Sequence, residues 1–222
     1  MPTLGLVHNS PMLAAVFNEI AARVMPDVRI LHFVDESTIK NTIAAGRLEK
    51  ATMRQVIRLV GSTFDAGCDV AMVTCSSIGR AVEMAEELYE QPVLRVDRAM
   101  AEQAVSTARR IGVVATLSTT LDPTADLVRR VAVEQGREIE LVPHLCEGAF
   151  DAVMAGDGAT HDRIVGDALI HAMADVDAIV LAQASMARVV AALPEGAVSA
   201  PVLSSPELGM MRADEVLKGL NK

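Results

Sequence analysis

One pattern occurs twice in this chain of 222 residues, and it constrains the fold more than any other feature. A short apolar run stops at Cys75-Ser76-Ser77, before a helical pattern, and the same arrangement returns about a hundred residues later. At one constant offset, five residues of the first copy align with five of the second: Asp69, Cys75, Ser77, Arg80 and Val82 with Asp177, Gln183, Ser185, Arg188 and Val190. The copies differ at the centre, where a thiol in the first is an amide in the second. Each pattern predicts a strand whose polar carboxyl end is a ligand-binding position of open α/β sheets.

Two further pairs of segments keep nearly this offset: Gly5-Leu6-Val7 with Gly112-Val113-Val114, and Pro92-Val93-Leu94 with Pro201-Val202-Leu203. Two βα units can share such a pattern by chance, but order and spacing agree at three places, which favours a duplication. We therefore predict an α/β fold of two pseudo-symmetric halves, each a parallel four-stranded sheet flanked by helices, with right-handed connections and the active-site cleft between the halves. The first half comprises residues 1–97 and 205–222, and the second comprises residues 98–204.

Alternating apolar and helical patterns predict eight strands, at residues 4–7, 28–34, 70–74, 93–96, 111–115, 138–142, 178–182 and 201–203. A helix should follow the first thiol, from Ile78 to about Tyr89. Residues 38–47 are polar and indicate an irregular, mobile connection. Thr116 to Thr120 form a predicted hydroxyl-rich turn, with Pro123 in the first turn of the helix that follows.

Charge and composition exclude several classes of function. The net charge of -9 and the absence of Trp argue against a nucleic-acid surface. No apolar run reaches the roughly 20 residues of a membrane span, and the amino terminus lacks the charged start of a signal peptide, so we expect a cytoplasmic protein. The three cysteines should then be reduced thiols. There is no G-x-G-x-x-G, P-loop or G-x-S-x-G motif. One group of possible zinc ligands matches no standard spacing: His144, Cys146, Glu147 and His161.

Four motifs, in this order over nearly the whole chain, resemble the aspartate/glutamate/hydantoin racemase superfamily: C-S-S-I-G, I-G-V-V-A-T, D-A-I-V-L-A and P-V-L-S-S-P-E. That superfamily also includes maleate isomerases and arylmalonate decarboxylases. The resemblance implies a cofactor-independent site with one cysteine from each half on opposite faces of a carbanion-forming carbon. The first cysteine falls on Cys75, whereas the second falls on Gln183. The family's carboxylate-binding positions fall on Asn9, Ser10, Ser76, Ser77, Thr116, Ser118, Thr119 and Ser185.

The required chemistry can also be argued from the residues alone. Removing a proton alpha to a carboxylate places charge on the carboxylate oxygens, which backbone N–H groups and hydroxyls at helix N-termini can stabilise. A helix N-terminus should also lower the pKa of the Cys75 thiol and make it a base. Gln183 cannot exchange a proton at neutral pH, so a second base would have to come from elsewhere, for example from His8 or Asp35. In the alternative interpretation, Cys75 is a small buried residue and the hydroxyls are helix caps.

Three functions remain compatible with this pattern. The first is an isomerase that acts at the carbon alpha to a carboxylate of a small acid, amino acid or hydantoin-like substrate, with Cys75 as acid and base. The second is a one-thiol decarboxylase or other lyase of the same superfamily, because loss of CO2 generates the carbanion and one acid then suffices. The third is a non-catalytic carboxylate-binding protein. We expect a small carboxylate substrate, no cofactor, no nucleic-acid or membrane partner, and a homodimer or higher homo-oligomer.

Overall fold

The computed structural model of the protein describes residues 1–220, apart from the side chain of Ala184. The chain divides into two compact units, one formed by Met1–Ala99 with the segment from Pro206 onward and the other by Met100–Ser205. Each unit contains one parallel four-stranded sheet flanked by helices, so the predicted α/β class is confirmed.

The two sheets have the same strand order, β2-β1-β3-β4 in the first unit and β6-β5-β7-β8 in the second. The strands are β1 (Thr3–His8), β2 (Arg29–Val34), β3 (Val70–Val73), β4 (Val93–Arg95), β5 (Arg110–Ala115), β6 (Glu140–Leu145), β7 (Ala178–Leu181) and β8 (Val202–Ser204). Every residue of the central strands β1, β3 and β7 is buried. These continuous apolar runs are typical of parallel strands that have helices on both faces.

Within residues 1–220, ten α-helices flank the sheets: α1 (Met12–Val24), α2 (Ser37–Ala45), α3 (Lys50–Asp65), α4 (Gly79–Leu88), α5 (Arg98–Thr107), α6 (Ser118–Glu134), α7 (Ala149–Met154), α8 (Gly158–Asp167), α9 (Ala187–Ala192) and α10 (Ser205–Leu220). One-turn 3₁₀ helices precede α4 and α9, at Ser76–Ile78 and Ala184–Met186. A π-helical segment, Ala168–Ala172, continues α8.

The first sheet is buried on both faces. On one face, Leu4 and Met72 pack with Phe17 of α1 and with Met210 and Leu217 of α10. On the other face, β1 and β3 pack against α3 and α4. In the second unit, β5 and β7 pack against a layer that includes α7, α8 and α9. This layering leaves the carboxyl ends of the central strands as the places where polar side chains gather.

The repeated aspartate of the sequence pattern has a structural role in each unit. A side-chain oxygen of Asp69 accepts a hydrogen bond from the backbone N–H of Thr3 at 2.8 Å, where β1 begins. A side-chain oxygen of Asp177 accepts the equivalent bond from Arg110 at 2.7 Å, where β5 begins. The aspartate therefore ties the start of one central strand to the strand beside it.

Two local predictions were wrong. The segment predicted as an irregular connection forms α2, because Asp35 accepts hydrogen bonds from the backbone and hydroxyl of Ser37 and starts the helix. The predicted hydroxyl-rich turn is shorter than expected, since α6 already begins at Ser118 and Pro123 lies inside that helix. The helix predicted after the thiol, from Ile78 to about Tyr89, is found as α4, with a 3₁₀ turn before it.

Candidate functional site

In each unit the candidate residues gather at the switch point of the sheet, the gap between two neighbouring strands whose connections run to opposite sides. This gap lies between β1 and β3 in the first unit and between β5 and β7 in the second. Ligands of open α/β sheets bind at this position, beyond the carboxyl ends of the strands. Cys75 and Gln183 each stand just after the second strand of their pair. The two units are described separately below.

In the first unit, four donors surround the sulfur of Cys75. The side-chain amide of Asn9, which follows β1, donates to Sγ at 2.9 Å. The backbone N–H groups of Ser77 and Ile78 and the hydroxyl of Ser77 also hydrogen bond to it. The structure therefore brings three predicted residues together. Asn9 and Cys75 face each other across the switch point, and Ser77 lies in the turn that follows Cys75.

The expected activation of this thiol by a helix N-terminus is not found. Burial raises the pKa of Cys75 to about 11, and the negative charge of Asp97 adds to this effect, although three hydrogen bonds from Ser77 and Ile78 oppose it. The backbone N–H groups of the 3₁₀ turn that leads into α4 therefore lower the pKa by less than burial raises it. At neutral pH Cys75 is therefore a neutral thiol, able to donate a proton.

The second unit repeats this pairing with different groups. The amide oxygen of Gln183 accepts hydrogen bonds from the backbone N–H of Thr116 at 2.6 Å and from its hydroxyl at 2.9 Å. Because a backbone N–H can only donate, these bonds fix which end of the amide is oxygen. Among the residues that the structure describes, none accepts a hydrogen bond from the Gln183 nitrogen. That nitrogen suits a carboxylate or carbonyl oxygen of a ligand.

Other predicted residues of the second unit lie at the start of the helical segments beside this pair. Ser118 is the first residue of α6 and is exposed, and Ser185 is exposed in the 3₁₀ turn after Gln183. The hydroxyl oxygen of Thr119 is buried and has no hydrogen-bond partner in the described part of the chain. We expect such a hydroxyl at a helix N-terminus to bind a polar ligand atom.

His8 lies in a hydrogen-bonded chain that uses both of its ring nitrogens. The side chain is 1% exposed, and its nitrogens lie 2.8 Å from the Thr74 hydroxyl and 2.8 Å from Nδ1 of His32. His32 continues the chain to Asn18 at 3.0 Å. Burial, followed by the proximity of His32, lowers the pKa of His8 to about 4.

Two further predicted residues of the first unit serve local structure. Asp35 caps α2 and also accepts a hydrogen bond from Gln55 at 2.7 Å, so neither carboxylate oxygen is without a partner. Ser10 accepts a long hydrogen bond of 3.4 Å from the backbone of Met12, at the start of α1. The roles of His8, Asp35 and Ser10 in binding a substrate stay predictions.

A buried charge network beside the thiol was missed from sequence. Asp97, 1% exposed, accepts a bidentate pair of hydrogen bonds from Arg95, at 3.0 Å from Nε and 2.9 Å from Nη2. Arg95 also bonds to Glu83 of α4. Asp97 accepts a hydrogen bond from the hydroxyl of Ser76, which is buried, and the ion pair holds the pKa of Asp97 below its usual range despite burial. The signal was available, because Arg95 and Asp97 are two charges at the end of an otherwise apolar strand.

The described residues contain neither a candidate metal site nor a candidate membrane-spanning helix. Within residues 1–220, no group of three or more His, Cys, Asp or Glu side chains is arranged to hold a metal ion. No helix in that range combines the length and apolar character needed to cross a membrane.

Comparisons with known proteins agree with this geometry. A comparison with curated protein sequences finds no match. Allantoin racemase from Klebsiella pneumoniae has a TM-score of 0.70 at 18% identity, with 100% of this chain and 89% of that chain covered. Glutamate racemase from Francisella tularensis, in complex with D-glutamate, has a TM-score of 0.74 at 14% identity, with coverages of 99% and 82%. Aspartate racemase from Picrophilus torridus has a TM-score of 0.69 at 14% identity, with coverages of 97% and 95%.

At these identities the three structures establish a shared fold. The sequence itself matches the family model described as Asp/Glu/Hydantoin racemase over residues 9–213, a span that includes every candidate residue except His8. The chain therefore belongs to the Asp/Glu/hydantoin racemase family.

Proposed function

We propose that this protein is a cofactor-independent isomerase acting at the carbon alpha to the carboxylate of a small acid, with Cys75 as the group that exchanges a proton with that carbon. One observation carries the proposal: in a member of this family, the Cys75 sulfur lies at the β1/β3 switch point with four hydrogen-bond donors directed at it. Switch points are where such sheets bind ligands.

These donors fit a thiol that gives up its proton and later regains it. In the forward step the Cys75 thiolate takes the alpha proton, so the C–H bond breaks, an S–H bond forms and the electron pair stays on carbon. In the return step the S–H bond breaks, the carbanion's electron pair takes the proton to form a C–H bond, and the sulfur is again a thiolate. The amide of Asn9, the backbone of Ser77 and Ile78, and the Ser77 hydroxyl stabilise that charge. The high pKa of the resting thiol keeps the proton available at neutral pH.

Decarboxylation is the second candidate, favoured by a specific observation. Gln183, at the position where the family pattern has its second cysteine, cannot take up a proton and is fixed by Thr116 with its nitrogen free to donate. Loss of CO2 forms the carbanion without a base, so one thiol that protonates a single face is enough. In this reaction the amide would bind the remaining carboxylate or carbonyl group.

Product chirality separates these reactions. Each enantiomer of aspartate and glutamate, allantoin, and a disubstituted malonate would be incubated with the protein and analysed by chiral chromatography and CO2 release. Isomerisation should convert either enantiomer into the racemate, but slowly, because Gln183 supplies no second base. A decarboxylase should instead release CO2 and give one enantiomer. Binding of these acids by calorimetry without turnover would contradict both proposals and indicate a carboxylate-binding protein.

The role of Cys75 has a matched control within the chain. Cys75→Ala should lower kcat by at least about 1000-fold, as expected when a general acid is removed. Cys68→Ala, which changes a buried cysteine outside the switch point, should keep kcat within about twofold. Equal activity of the two variants would exclude Cys75 as the proton donor.

A further inference from the structure

Several residues that differ between the two copies of the repeat belong to one network around the thiol. The buried charge network of the first unit is formed by Ser76, Glu83, Arg95 and Asp97, and Gly79 leaves room for it. At the offsets of the repeat, the second copy has Ala184, Ala187, Ala191, Ser204 and Pro206 at these positions. The network therefore occurs with the cysteine and is absent where glutamine replaces it.

Gly79 shows that these positions depend on one another. A Cβ atom at Gly79 would overlap the guanidinium group of Arg95, so the glycine is needed where the arginine is present. The second copy, which has serine in place of the arginine, has alanine at this point. A purely structural ion pair would have no reason to be lost together with the thiol.

We propose that Asp97 is a positioning residue for Cys75. Clamped by Arg95 and bonded to the Ser76 hydroxyl, Asp97 fixes the turn that holds the thiol and places a buried carboxylate at the same end of the sheet, so that Cys75 acts first as an acid. This inference rests on the proposed function for its catalytic meaning, but the effect on the thiol can be measured without any substrate.

The charged surroundings of the sulfur support this assignment. Asp97 carries a negative charge that disfavours the thiolate of Cys75. Arg95 bonds to both Asp97 and Glu83, and Arg80 of α4 bonds to Glu83 at 2.8 Å. Glu86 of α4 lies close enough to sense Arg95, Arg98 and Glu83. On the side of β1, the uncharged Asn9 donates to the sulfur, and His8 at the end of that strand has a lowered pKa and is neutral at pH 7.

The test is the pH dependence of Cys75 alkylation by iodoacetamide, followed by peptide mass spectrometry, because only the thiolate reacts. Asp97→Asn should lower the pH midpoint by about one unit and raise the alkylation rate at pH 8 by about tenfold, since it removes the nearby negative charge. Glu83→Gln is the matched control, because it neutralises the other carboxylate bound to Arg95 without touching Ser76. Its midpoint should move by less than about 0.3 units.

An unchanged midpoint in Asp97→Asn, or equal shifts in the two variants, would overturn the proposal. If Asp97→Asn fails to fold, the double variant Arg95→Met/Asp97→Asn removes both buried charges and should show the same lowered midpoint. In an active protein, Asp97→Asn should lower kcat with little change in KM. A lowered alkylation midpoint in a protein that turns over no acid would contradict the proposed function while supporting the role of Asp97.

Discussion

Cys75 and Gln183 occupy equivalent backbone positions, and each is held by the residue that follows the neighbouring central strand. Asn9 donates to the thiol, whereas Thr116 donates twice to the amide oxygen. The same architecture thus presents a proton donor in one unit and a fixed N–H donor in the other. On the proposed function, this difference of one functional group limits the reaction to proton exchange through Cys75.

The buried His8, paired with the half-buried His32, makes stability depend on pH. The pKa of His8 falls from 6.5 in the unfolded chain to about 4 in the folded one, mainly through burial. Above pH 6.5 His8 is neutral in both the folded and the unfolded chain, so its titration does not reduce the free energy of unfolding. Between pH 6.5 and 4 only the unfolded state binds the proton, so the free energy of unfolding should fall, by up to about 3 kcal/mol.

Urea unfolding at pH 7, 6, 5 and 4 measures this loss. His8→Gln should flatten the decline over this pH range, whereas His171→Gln, which changes an exposed histidine, should leave it as in the native protein. A decline of the same size in His8→Gln would show that other groups cause it.

At the scale of elements, the sequence predicted the eight strands near their observed places because apolar runs ending in polar residues are a strong local signal. It failed at α2, where polar composition suggested a loop. Tertiary contacts help to determine that helix, because Gln55 of α3 donates hydrogen bonds to Asp35 and Ser37 at its start, and Thr38 and Thr42 are buried. The bond from Arg95 to Glu83 was equally out of reach, since it depends on how α4 packs against β4.

The start of α4 should be sensitive to any added side-chain atom. Gly79→Ala would push a methyl group into the buried guanidinium of Arg95, so the free energy of unfolding should fall by about 1–3 kcal/mol. Gly219→Ala, in a helix position with open space around it, should leave stability unchanged or raise it by about 0.5 kcal/mol. Thermal and urea unfolding of the two variants provide the comparison. Equal stabilities would mean that Arg95 can move away at no cost.

For the whole molecule, identical strand orders in the two sheets explain why a constant offset was visible in the sequence. The repeat predicted Cys75 and Gln183 at equivalent strand ends, and the family resemblance added Asn9 and Thr116 as carboxylate-binding positions. The sequence pattern could not give the protonation state of the Cys75 thiol. That state depends on burial and on Asp97, which lies 22 residues further along the chain. That state now favours Cys75 as an acid rather than a base.

The central claim is that Cys75 exchanges the alpha proton while Gln183 cannot, and alpha-proton exchange in deuterated water tests it most directly. The native protein should exchange slowly and unequally from the two enantiomers of a bound acid, and Cys75→Ala should not exchange at all. Gln183→Cys should raise exchange from both enantiomers by about 100-fold, because it supplies a second thiol. Rapid exchange from both enantiomers by the native protein, at an enzymatic rate of about 1–1000 per second, would contradict the account.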